Sequence, residues 1–252
     1  MGLFSLWDLI VMLIAYLYTV IVISIGETLR KKMNYPSSFT RKIIHLFAGF
    51  AIYTCPFYPH YWPATIVALT FTVLLYLTSP KSPIKKLTSW FEAMAREEDY
   101  ETGHIFGPFY YALSITILVA IFSFQILPIQ YMFTAAAGLT VMYWGDGLAA
   151  PIGKKWGKHK YQIFPGAIRS IEGSLGVFAG GFVGAVLAIW FFGPFSGLYL
   201  LTWNQILALA FIAAITGMIV EAVSPRGIDN ITLPFTVTGI TYLASIALGI
   251  IV

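Results

Sequence analysis

Five carboxylates stand where long apolar runs meet basic connections: Glu27, Asp146, Glu172, Glu221 and Asp229. Acidic groups at or inside membrane helices are costly and usually mark function. Set beside lysines, they suggest a hard divalent cation shared with phosphates, because Mg²⁺ takes carboxylate oxygens together with substrate phosphate oxygens. A second reading stands beside it, in which these are interfacial carboxylates paired with nearby lysines.

Asp146 opens the stretch GDGLAAPIGKKWGK, residues 145–158. Ala149, Ala150 and Gly153 follow it at i+3, i+4 and i+7, a stripe of small residues on the same helical face. Gly153 and Gly157 bracket Lys154, Lys155 and Trp156, and Lys158 follows. Backbone N–H groups in such a loop can cradle phosphate oxygens. No Gly-Lys-Ser/Thr follows, so this is not a Walker A loop. The next stretch is IRSIEGSLGVFAGGFVGA, residues 168–185. Gly176, Gly180 and Gly184 recur every four residues and read as a helix-packing seam. Arg169 is suited to clamp a phosphate in two-pronged fashion, and Glu172 to hold metal or to position Arg169.

Three further segments carry polar groups. RKIIHLFAG, residues 41–49, sets Arg41, His45, Ala48 and Gly49 on one helical face, with Lys42 alongside. His45 is either a substrate contact or a hydrogen-bonded structural residue. AREEDYETGHIFGP, residues 95–108, reads as a solvated acidic face followed by a shaped turn. SPRGIDNITLP, residues 224–234, brings Arg226, Asp229 and Asn230 to the start of the last apolar run, either as helix caps or as part of a metal or phosphate site.

These groups need elements to hold them, and composition says which. The 252 residues are 58% hydrophobic and only 10% charged, where a soluble domain carries roughly 25% charged residues. The chain is therefore expected to be one integral-membrane domain, residues 1–252 and all-α. Taking about 20 apolar residues per crossing, eight spans are expected near 5–27, 43–58, 61–79, 105–126, 129–150, 173–192, 204–221 and 231–252. The second is short. Pro56, Pro59 and Pro63 mark a break before the third, so those two suit a hairpin that does not fully cross. Every Lys and Arg falls on the first, third, fifth or seventh link. By the positive-inside rule those links are cytoplasmic and both termini are not.

The same pattern argues against other classes. Nothing here resembles a nucleic-acid module, and the net charge of +4 reads as topology. Ionisable residues in mid-membrane, which a conduction path needs, are scarce. Cys55 is the only cysteine, so no internal disulfide or cysteine cluster is possible. No signal or transit segment is evident, which points to a prokaryotic cell membrane. Oligomerisation through the glycine seam stays open.

The set RKIIHLFAG, GDGLAAPIGKKWG, RSIEGS and GIDNITLP, in this order, resembles the CTP-dependent polyprenol kinase family. That family covers dolichol, phytol and farnesol kinases and the CTP-dependent diacylglycerol kinase. Its element Asp-x-x-Ala-x-x-x-Gly-x-x-x-Gly is matched by Asp146, Ala149, Gly153 and Gly157. Its Lys-Lys-Thr-x-Glu-Gly is matched conservatively by Arg169, Ser170, Glu172 and Gly173, with Ile168 in the first lysine position. The connection 158–167 is longer than in dolichol kinases, which favours a shorter isoprenoid alcohol. The resemblance implies CTP as co-substrate, Mg²⁺ and a lipid alcohol entering from the bilayer. It implies a catalytic set of Asp146, Arg169, Glu172 and His45, with Asp146, Glu172 and Asp229 at the metal. Phosphate contacts are expected from Arg41, Lys42, Gly153, Lys154, Lys155, Gly157, Lys158, Ser170, Gly173 and Asn230. A CTP-dependent diacylglycerol kinase or a phosphatidate-type cytidylyltransferase is the alternative within enzymes, and a transporter the alternative outside them.

Overall fold

The computed structural model describes residues 3–79, 106–163, 167–225 and 227–251. The expected solvated acidic face at 95–101, the adjoining His104 and Arg226 lie outside the described residues. The chain divides into two compact units, Met1–Phe124 and Gln125–Val252.

In the first unit, α1 (Leu6–Lys31) starts at a capping box. The Ser5 hydroxyl accepts the Asp8 N–H, and the Asp8 carboxylate accepts the Ser5 N–H. That carboxylate is fully buried and also accepts from the His60 backbone N–H, at 3.1 Å, with His60 Nδ1 at 2.8 Å. It thereby ties the start of α1 to the link before α3. At the other end of α1, Glu27 pairs with Arg30 and Lys31, so this carboxylate follows the lysine-paired reading. Helix α2 (Ser37–Ala48) runs straight into a 3₁₀ stretch, Gly49–Phe57, with Pro56 inside it. The expected span 43–58 is thus no single α-helix. Helices α3 (Trp62–Thr78) and α4 (Gly107–Ser123) are joined by hydroxyl pairs, Thr65–Ser123 at 2.5 Å and Thr72–Thr116 at 2.8 Å. Such pairs hold helices together where hydrocarbon offers no other partner.

The second unit opens on a rod in four pieces: a 3₁₀ turn Ile129–Tyr131, α5 (Met132–Thr140), a π-helical segment Val141–Asp146 and α6 (Gly147–Trp156). The expected span 129–150 is therefore not uniform, and its π segment ends on Asp146. Isolated π turns occur mostly inside α-helices and often at functional sites. A two-stranded antiparallel ribbon follows, β1 (Lys160–Gln162) and β2 (Ile168–Ser170), with Tyr161 opposite Arg169. The fold is thus helical apart from this ribbon among the described residues. Then come α7 (Ile171–Trp190), a π turn Phe191–Phe195, α8 (Trp203–Val223) and α9 (Asp229–Ala247).

Glycine spacing fixes how α7 meets the rod. A Cβ at Gly176 would lie 2.7 Å from Ile152, at Gly180 2.7 Å from the Trp144 carbonyl, and at Gly184 2.6 Å from Thr140. The seam therefore packs antiparallel to the rod and lies within this unit. Opposite it, every fourth residue of α7 is exposed: Ile171, Leu175, Ala179, Val183 and Leu187. Among the described residues three helices are long and apolar enough to cross a membrane, Leu6–Lys31, Ile171–Phe195 and Trp203–Val223. Trp62–Thr78 and Gly107–Ser123 are shorter apolar helices.

Candidate functional site

The corner where α6, the ribbon and α7 meet is built on one buried hydroxyl. Ser170 is the N-cap of α7, with extended backbone, and its Oγ accepts the Gly173 N–H at 3.1 Å. The glycines around it are small for this reason. A Cβ at Gly157 would lie 2.2 Å from the Gly153 carbonyl and 2.6 Å from Ser170 Oγ. At Gly153 and at Gly173 it would lie 3.1 Å from the same Oγ. So Gly153, Gly157, Ser170 and Gly173, all expected to touch phosphate, are brought together, and they pack on one another.

Three side chains from the connection lash it to this corner. His159 Nδ1 is 2.7 Å from the Glu172 carboxylate, which also accepts the His159 backbone N–H. The Tyr161 hydroxyl is 2.5 Å from Ser174 Oγ, and Lys160 Nζ donates to the Gly153 carbonyl at the end of α6. A lysine there also meets the negative end of the helix dipole. None of His159, Lys160, Tyr161 or Ser174 is in the expected site. His159 was hidden in the run Lys158-His159-Lys160, where its neighbours made it read as one more basic residue.

Arg169 faces away from this corner. Its Nε donates to Glu221 at 2.6 Å, Nη1 to the Ala222 carbonyl at 3.0 Å and Nη2 to the Ser224 carbonyl at 2.9 Å. Both side chains of the ion pair are only 10% exposed. The guanidinium thus closes the C-terminal end of α8, where carbonyls lack helical partners. It ties β2 to the end of α8, from which a short link leads to Asp229 and Asn230 at the start of α9. The expectation that Glu172 positions Arg169 is corrected: Glu221 does, and Glu172 is engaged by His159.

Asp146 is half-buried at the junction of the π segment and α6, and Gly153 lies seven residues on, about 10 Å along the helix. Lys154, Lys155 and Lys158 are exposed, with Lys155 Nζ 4.6 Å from the centre of the Trp156 ring. Asp229 begins α9, and its Oδ1 accepts the Asn230 N–H at 2.9 Å. Among the described residues no three His, Cys, Asp or Glu side chains gather into a metal-holding group, so Asp146, Glu172 and Asp229 do not form a three-carboxylate cage. Mg²⁺ does not require one. It is usually held by one or two carboxylates, waters and substrate phosphates; Asp146 and the lysines stand at opposite ends of α6.

Arg41, Lys42 and His45 belong to the first unit, on α2, half-buried. The His45 carbonyl accepts the Tyr111 hydroxyl at 2.8 Å, and the two rings pack with centroids 4.6 Å apart.

Comparison with known proteins then bears on the whole chain. It is 33% identical over 234 residues to the phytol kinase of Synechocystis sp., covering 91% of this chain and 88% of that one. It is 24% identical to phytol kinase 1, chloroplastic, of Arabidopsis thaliana, covering 86% and 70%. No family model matches the chain, and no solved structure does.

Proposed function

The chain belongs to the polyprenol and phytol kinase family, and on that premise we propose that it phosphorylates an isoprenoid alcohol of the phytol class, with CTP as donor, at the cytoplasmic surface of a prokaryotic cell membrane. The observation that carries this reading is the likeness to the Synechocystis phytol kinase along nearly the full length of both chains. The eight-span arrangement with both termini outside goes with it, supported by the one-sided distribution of Lys and Arg.

Phosphoryl transfer needs little covalent help from protein; positioning and charge neutralisation do most of it. The alcohol oxygen attacks the γ-phosphorus, the bond to the β-phosphate oxygen breaks, and CDP leaves while the hydroxyl proton passes to a base. In this reading Lys154, Lys155 and Lys158 hold the phosphates and offset the charge that builds on the leaving diphosphate. Asp146 would hold Mg²⁺, with Asp229 as the second carboxylate. The metal would supply charge neutralisation on the phosphate oxygens. Ser170, Glu172, His159 and Arg169 serve as the frame that keeps the lysine-bearing segment in place.

The test uses the purified protein in detergent with Mg²⁺, a panel of isoprenoid alcohols, diacylglycerol and phosphatidate, and CTP labelled at the α or the γ phosphate. Label from the γ position in the lipid product is the expected result. Label from the α position would mean nucleotidyl transfer and would overturn the kinase reading. Parallel reactions with ATP and GTP test the choice of CTP.

A further inference from the structure

The outward face of α7 has no polar margin at its N-terminal end. Ile171, the first helical residue, is 52% exposed and Leu175 is 55% exposed. They begin the stripe that continues through Ala179, Val183 and Leu187 on a helix of membrane-crossing length. A face of that kind on such a helix meets acyl chains. The apolar surface does not stop where the helix does. Ile168 on β2 is 59% exposed, Ile163 after β1 is 53% and Trp156 at the end of α6 is 56%. The connection is fastened to the first turns of α7 through Ser170, Tyr161–Ser174 and His159–Glu172, so it shares that helix's depth. The same end of α6 carries the exposed ammonium groups of Lys154 and Lys155, with Lys155 over the Trp156 ring, and exposed Lys158 follows it.

We infer that the end of α6 and the ribbon form a wedge seated in an anionic leaflet. Ile163, Ile168 and Trp156 enter the boundary between headgroups and acyl chains, and while no nucleotide is bound the three lysines reach up among acidic phospholipid headgroups. Each part has a physical cause. Exposed isoleucines gain by leaving water. Trp favours the interface, where its ring is half apolar. Lysine stems lie along apolar surface while their heads stay with charge and water, and basic residues at an anionic surface are attracted to it. The wedge sets the lysine-bearing corner at the depth where the hydroxyl of a bilayer-borne alcohol emerges. It rests on the membrane reading and not on the choice of nucleotide.

The single cysteine makes the test direct. Cys55 is buried, so Ile163→Cys or Ile168→Cys, in a Cys55→Ala background or with Cys55 retained if that change harms folding, takes one environment-sensitive fluorophore. The full chain is placed in nanodiscs of phosphatidylcholine alone or with phosphatidylglycerol, without nucleotide. The expected result is quenching by a nitroxide lipid labelled near the headgroup and shielding from aqueous iodide. Both effects should grow with phosphatidylglycerol and lose that growth when Lys154, Lys155 and Lys158 are changed together to Gln. Free quenching by iodide would show a face in water. Shielding from both quenchers would show a protein surface, such as a second copy, covering it. Equal behaviour in the two lipid mixtures would remove the anionic partner. Each of these three overturns the inference while leaving the labelled-CTP result untouched.

Discussion

Arg169 separates two accounts of the corner most sharply. Its guanidinium makes three charge-assisted bonds to Glu221, Ala222 and Ser224, and the pair is nearly closed to solvent. Changing Arg169 to Ala takes the guanidinium away from the buried Glu221 and from two carbonyls at the end of α8. Breaking a buried pair from one side costs about 3–5 kcal/mol. The pair joins β2 to α8, so the loss falls on the attachment of the ribbon rather than evenly on the bundle. Tenfold per 1.4 kcal/mol makes that roughly two to three and a half powers of ten in the local opening constant. Hydrogen exchange read by mass spectrometry in detergent should show it as lost protection at 160–170 and 222–225, with the middle of α7 unchanged. Arg169→Leu combined with Glu221→Leu should lose less, because the carboxylate is removed together with its guanidinium. Arg169→Lys should fall between, since one ammonium cannot serve three acceptors set in a fork. The reasoning fails if Arg169→Ala keeps wild-type exchange and only its KM for nucleotide rises. That pattern would make Arg169 a phosphate clamp after all.

Other consequences are as concrete. Asp146→Asn should keep the thermal midpoint within a few degrees and lose at least a hundredfold in kcat, a drop of about 3 kcal/mol of transition-state stabilisation; full activity would remove Asp146 from the chemistry. Gly157→Ala forces a methyl group against the Gly153 carbonyl and Ser170 Oγ. It should cost about 1–3 kcal/mol, read as a lower unfolding midpoint with raised exchange at 157–163. Thr72→Val with Thr116→Val keeps shape and removes one interhelical bond; a loss of about 0.6 kcal/mol is expected in a denaturation series, with activity unchanged.

Local periodicity made part of this legible in the sequence. The seam Gly176, Gly180 and Gly184 packs as its four-residue spacing required, and Pro56 lies near the end of the 3₁₀ stretch, although α-helical form is already left at Gly49, where no proline signals it. The fates of single polar residues were not legible, because their partners are remote in sequence. Arg169 finds Glu221 fifty-two residues away, and Asp8 finds His60 at the same separation. Glu172 is answered by a histidine thirteen residues earlier, across a ribbon that hydropathy cannot reveal. Glycines beside lysines suggested a phosphate cradle, yet those at 153 and 157 make room for a serine. The π segment has no composition of its own; residues 141–146 read as ordinary apolar helix.

That segment makes the rod sensitive to length. Each residue in an α-helix turns the chain by about 100° and advances it about 1.5 Å. A π turn holds one residue more than its α counterpart, so the segment acts as a phase shifter between α5 and α6. Deleting one residue of 141–145 would let the rod relax to plain α form with the flanking faces still in phase, and with charge and helical content almost unchanged. Forcing 141–146 into plain α form with every residue kept would instead swing Asp146, the lysines and the ribbon about a quarter turn around the axis relative to the face of α5 that packs on α9. A one-residue deletion there should therefore be tolerated far better than a one-residue insertion, which the turn has no further room to absorb. In this rod the count of residues is itself a determinant of where the carboxylate points.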